Sequence, residues 1–176
     1  FIGRIQSLLR GGVRMNDIAM LYPIYALHEQ VYLYESPTGG KFENPYTPFS
    51  CNYMTLLSSI TTYVGHNVTL LHPQVLNRHC TIDGDTIRLN TVFQNQYFRI
   101  LILPSADMVS LESMRLIKEF YDKGGKVLAV GNLPHYAFEF DKDALSQDRD
   151  PNDFMLNDAY GTNNDRELRE IVRYIF

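Results

Sequence analysis

Tryptophan is absent from this 176-residue chain, cysteine occurs twice, and basic residues never gather into a block. Each lack excludes something. With 16 Lys and Arg against 20 Asp and Glu, the formal net charge is −4 and the pI is near 5.7. Neutralising phosphates takes a clustered positive surface, so no nucleic-acid partner is expected. No apolar run approaches the roughly 20 residues that cross a bilayer as a helix, so no membrane partner is expected either. Cys51 and Cys80 form no CxxC and have no histidine at metal-ligand spacing. They read as buried free thiols, a disulfide between them stays open, and they leave the compartment unfixed. Neither a GxGxxG turn nor a phosphate-binding P-loop occurs, and no cofactor is implied.

Other chemistry is thin as well. The five histidines, His28, His66, His72, His79 and His135, contain no HxxxH-type pair, so no metal site is expected. His72 and His135 follow predicted strands and can face the same crevice. Glu139, Asp141, Asp143, Asp148, Asp150 and Asp153 lie close in sequence. A polar loop is a poor platform for the fixed carboxyl pair of a glycosidase, and the spacing misses a calcium-binding loop. The stretch 139–161 is therefore expected to be a solvated acidic excursion. Asn67-Val68-Thr69 matches a glycosylation acceptor but opens a buried strand, and reads as chance.

The apolar fraction of 45% is that of a globular chain with a real core. Ile5, Leu8 and Leu9 predict a helix over 4–10, ended by Gly11-Gly12. Short apolar runs predict strands over 17–22, 68–72, Arg99–Leu103 and Lys126–Val130, the first three closed by prolines. Leu56, Leu57, Ile60 and Val64 share one face of a helix predicted over 52–64 and closed by Gly65. Ser110 caps a helix with Glu112 in its first turn and Met114, Ile117 and Tyr121 on one face, Phe120 beside them; Gly124 and Gly125 release it through positive φ. Asn164, with Glu167 three residues on, forms a capping box for a last helix with Leu168, Ile171, Val172 and Ile175 inward. Around Asp83-Gly84 the residues 81–90 predict a hairpin, placed at an edge or surface. Strands alternating with helices imply one α/β domain over 1–176 with a mostly parallel, doubly wound sheet, in the order 2-1-3-4. Both ends of the chain fall awkwardly, and it reads as a piece of a longer polypeptide.

One connection is too long for a minimal crossover. Residues 24–50 hold Tyr25, His28, Tyr32, Tyr34, Phe42, Tyr46 and Phe49, with three prolines and Gly39-Gly40. Connections of this length are commonly functional, and this one leaves the carboxyl end of the first strand, where open α/β sheets bind ligands. Its rings pack over the sheet as a lid, meet a neighbouring domain or subunit, or touch a ligand such as a glycan; the residues leave these three open.

The turn after the fourth strand reads Val130-Gly131-Asn132. A helix ending in Gly124-Gly125, the strand Val127 to Val130 and this turn resemble class I glutamine amidotransferase-like domains, whose turn carries a cysteine. Here that position falls on Gly131, and no Cys, Ser or Thr occupies residues 127–137. His135 has no side chain to activate. The succession IQSLLRGG, NDIAMLYP, VTLLHPQVL, TIDGDTIRL and YFRILILP…GGKVLAVGNLP is similar to the amidotransferase-like accessory domain of large bacterial glycoside hydrolases. It resembles most the α-L-rhamnosidase type (glycoside hydrolase family 106), and it is similar to the trimerisation domain of some β-galactosidases. The likeness covers most of residues 4–136 and resumes over 165–175. It implies a three-layer, flavodoxin-like sandwich without catalytic residues of its own, partnered by the catalytic domain of a parent chain or a neighbouring subunit. It implies a periplasmic or cell-surface setting.

Three functional expectations follow. The first is the non-catalytic domain just described, with Tyr25, Tyr32, Tyr34 and Tyr46 bordering a glycan path. The second is a free-standing small-molecule or sensory module whose crevice is lined by Tyr25, His72, Ser105, Asp107, Asn132 and His135. The third is a hydrolase with a displaced nucleophile, Ser105 or Cys51, which requires a histidine in hydrogen-bond reach.

Overall fold

The computed structural model describes residues 16–29, 51–90, 95–139 and 163–176. The helix expected over 4–10, the aromatic residues Tyr32, Tyr34 and Tyr46, and the acidic stretch beyond Glu139 lie outside the described residues. Strands β1 (Ile18–Leu21), β2 (Thr69–Leu71), β6 (Ile100–Pro104) and β8 (Lys126–Val130) form a wholly parallel sheet in the order β2-β1-β6-β8. This is the expected order, and the chain is mixed α/β. The helices are α1 (Ile24–Glu29), α2 (Tyr53–Ser59), α3 (Pro73–His79), α4 (Leu111–Asp122) and α5 (Asn163–Ile175). A short parallel pair, β7 (Met108–Val109) with β9 (Tyr136–Ala137), lies beyond the sheet's carboxyl edge.

Alternation along the strands divides the core in two. Ala19, Leu21, Leu71, Leu101 and Leu103 join the larger cluster with Leu76 of α3, Met114, Ile117 and Phe120 of α4, and Leu168, Ile171 and Val172 of α5. Met20 and Ile102 belong to the smaller one, with Leu27 of α1 and Cys51, Tyr53 and Val68. Register keeps the two sets apart: Ala19 pairs with Leu101, and Met20 with Ile102. Among the described residues the second face is covered at its middle. Leu70 pairs with Met20 and Leu128 with Ile102, yet they are 40% and 51% exposed.

The expected hairpin exists, with two differences. Its loop is Gly84-Asp85, since Asp83 pairs with Thr86, and Gly84 takes φ 57°. It is also no surface addition. Strands β3 (Cys80–Asp83) and β4 (Thr86–Asn90) are joined by β5 (Asn95–Phe98), and the paired Ile87 and Phe98 are fully buried in the larger core.

Helix α4 starts as expected, with the Ser110 hydroxyl accepting from Ser113 N–H at 3.2 Å. Its inward face differs. Phe120, fully buried, continues the row of Met114 and Ile117, while Tyr121 points out and meets Tyr174 edge-on at 6.0 Å. The exit is a Schellman motif: Gly125 N–H donates to Phe120 O and Gly124 N–H to Tyr121 O, both at 2.9 Å. Only Gly124 has positive φ, at 92°. Gly125 is needed for space, because a Cβ there would sit 2.1 Å from the Phe120 ring.

Two further expectations need correction. Helix α2 runs on through a π-helical turn at Ile60–Val64 to Gly65 at φ 74°, and this turn swings Val64 outward to 63% exposure. The capping box on α5 does not form. Glu167 instead makes two 2.6 Å bonds to the Arg115 guanidinium, and the Asn164 amide donates to Glu139 O at 3.0 Å.

Candidate functional site

The carboxyl ends of β1, β2, β6 and β8 meet the segments that carry most of the expected site residues. Ser105 follows β6 and is buried; its N–H donates to Asn52 Oδ1 at 2.9 Å and its hydroxyl accepts from Asn132 N–H at 3.0 Å. The other end of the Asn52 amide donates to Val130 O at 3.2 Å. One side chain from the start of α2 thus clasps the ends of β6 and β8. The turn between Val130 and Asn132 closes over this clasp because Gly131 adopts φ 98°. A Cβ on Gly131 would stand 2.7 Å from Ser105 Cβ and 3.2 Å from Asn52 Nδ2. Glycine is therefore what this elbow needs on two counts, conformation and space. Asn52 was not expected from the sequence. It stands where a helix cap stands, and only tertiary structure sends its amide elsewhere; it makes no cap hydrogen bond.

Other expected residues take structural tasks. His72 is the N-cap of α3, its Nδ1 accepting from Gln74 N–H at 3.2 Å. The Asp107 carbonyl accepts from His135 N–H at 2.9 Å and Tyr136 N–H at 3.0 Å, tying β7 to β9. Tyr25 on α1 is half-buried and stacks on Phe138, ring centroids 3.8 Å apart. Its hydroxyl titrates above the ordinary range, first through burial and then through the nearby Glu139 and Glu112 carboxylates. The structure brings Ser105 and Asn132 into direct contact and sets Asp107 beside His135. His72 stays apart from them, in its own cap.

Glu139 departs most from expectation. It is no part of a solvated loop but caps α4 from outside the helix. Its carboxylate accepts from the Ser110 hydroxyl at 2.5 Å, from Leu111 N–H at 2.6 Å and from Glu112 N–H at 3.2 Å. A helix N-terminus beside the carboxyl edge is the usual seat of a bound anion in such sheets. Here the chain's own carboxylate occupies it. Asn77 of α3 extends the network, accepting from the Ser113 hydroxyl at 2.7 Å and donating to Glu112 at 2.9 Å.

At one point of this edge the described residues leave little room. The cavity between Leu21, Tyr25, Pro73, Leu103 and Pro134 measures about 20 Å³, the size of a single water site. The displaced-nucleophile reading finds no geometric support among the described residues. Among the described residues no histidine hydrogen-bonds Ser105 or Cys51. Burial pushes the Cys51 thiol up, helped by Asp107 and opposed by a backbone hydrogen bond at Tyr53, the reverse of an activated nucleophile. Cys51 and Cys80 are both free thiols, one inside the smaller core and the other against the larger, across the sheet from each other. No family model, curated protein or solved structure matches the chain.

Proposed function

We propose that the chain is a non-catalytic structural and interaction domain of a carbohydrate-active enzyme, a three-layer flavodoxin-like sandwich of the amidotransferase-like type. One observation carries the reading: the carboxyl edge, where such a fold would work, is filled by the chain's own groups. Gly131 sits in the elbow against Ser105 and Asn52, and Glu139 holds the helix N-terminus. The second face, half-covered among the described residues, supports the interaction role. Leu70, Leu128 and Val130 are exposed on it, and burying such a face against a neighbouring domain is worth roughly 25 cal/mol per Å² of apolar area. The resemblance of the strand and turn motifs to α-L-rhamnosidase accessory domains supplies the partner, a glycoside hydrolase catalytic domain.

The test uses the full polypeptide encoded around this segment. It is assayed with an aryl α-L-rhamnoside and a panel of other aryl glycosides, beside residues 1–176 alone. Hydrolysis by the full polypeptide and none by 1–176 is the expected result. A full polypeptide that cleaves no glycoside, or a segment that by itself hydrolyses a glycoside or a glutamine amide, overturns the reading. The rival small-molecule module gains no support from the cavity beside Leu21 and Leu103, which measures about 20 Å³ among the described residues.

A further inference from the structure

The outer face of α5 carries three arginines, Arg166, Arg169 and Arg173, at spacings of three and four residues. Such spacings place them as neighbours on one stripe of the helix, where like charges repel. Arg166 also stands in the first turn, where the helix dipole disfavours a cation. None of the three forms an ion pair among the described residues, although Arg115 and Lys118 on α4 and Lys123 just beyond it all do. Glu170 lies between them and neutralises none of them by contact.

The three arginines line a solvent-open groove of about 440 Å³ together with Glu170 and with His135 from the turn between β8 and β9. Small-molecule sites occupy roughly 300–1,000 Å³. Guanidinium groups offer paired donors that match phosphate and carboxylate oxygens. The chain as a whole is acidic, at −4, so attraction of an anion must arise locally in this groove.

We propose that the groove between α5 and His135 binds a small molecule carrying two or more oxyanion groups, phosphate or carboxylate. The site is separate from the carboxyl-edge elbow and does not depend on the parent enzyme. Arg166 and Arg173 mark the ends of the stripe and suit a ligand whose anionic groups are separated, with Arg169 between them.

The experiment titrates the purified chain with pyrophosphate and with citrate by calorimetry, against sodium chloride at matched ionic strength. Saturable binding of either is expected; pyrophosphate alone assigns phosphate, and citrate alone assigns carboxylate. R166Q and R173Q should each weaken binding about tenfold, the scale of one lost charge-assisted hydrogen bond. Glutamine keeps helix propensity, so the unliganded circular dichroism spectrum and unfolding midpoint serve as controls for folding. The proposal is overturned if neither anion saturates at millimolar concentration, or if R166Q/R169Q/R173Q binds as well as the parent sequence. Binding of a polyglutamate peptide without binding of either small anion also overturns it, since the face would then belong to an acidic protein partner.

Discussion

Gly131 shows how a single residue fixes both geometry and chemistry. Its φ of 98° and the 2.7 Å approach of Ser105 leave no room for the side chain that would make the elbow a nucleophile. Gly131→Ala is expected to destabilise the chain by about 1–3 kcal/mol, read from urea unfolding midpoints. Glu139→Gln keeps the shape of the α4 cap but removes its charge, and should cost about 1–2 kcal/mol in the same measurement. The thiols give a prediction in pH. Burial pushes Cys80 from its ordinary value of 9.0 up to about 12. A raised thiol contributes stability that is complete below the unfolded pKa and is lost as pH climbs through the folded one. Unfolding midpoints should therefore fall between pH 9 and 12, and Cys80→Ala should flatten that decline. A decline unchanged in the variant would assign it to other groups.

At the level of elements, the strands and their order were legible because short apolar runs closed by turn residues alternate with helical patterns, even where one face of a strand is half-exposed. The start of α4 was legible too, since a serine cap and an acidic first turn are local signals. What escaped was set by distant partners. The phase of α4 depends on the Phe120 ring settling over Gly125, which no periodicity reveals. Strand β5 escaped because its role rests on Phe98 pairing with Ile87. The site was the least legible part. Asn52, Glu139 and the α5 arginines act across gaps in sequence; Asn52 reaches Val130, and Glu139 reaches Leu111. The fully buried Phe98 makes the three-stranded sheet part of the core. Phe98→Ala should cost about 3–5 kcal/mol by chemical denaturation. A loss under about 1 kcal/mol would return that sheet to the status of a surface appendage.

For the whole molecule, the two sheet faces are unequal. Among the described residues one is sealed by α3, α4 and α5, while the other is sealed between β1 and β6 and leaves Leu128 half-exposed on β8. Leu128→Lys should therefore leave the unfolding midpoint of the isolated chain within about 0.5 kcal/mol of the original. If the chain adjoins a catalytic domain, as proposed, the same change should speed limited proteolysis between the two. An unaltered cleavage rate would mean that the neighbour docks elsewhere. The strand order has a further consequence, for the birth of the protein. β1 is central, yet it precedes both its neighbours, and Ile18 waits for Ile100 before its second hydrogen-bonded side is filled. On the ribosome this apolar strand emerges before both its neighbours and stays half-paired until β6 follows it out. Long-range parallel pairing of this kind is slow and exposes a sticky edge in the interval. The stretch of the chain's life most in need of a chaperone is thus written into where its first strand sits.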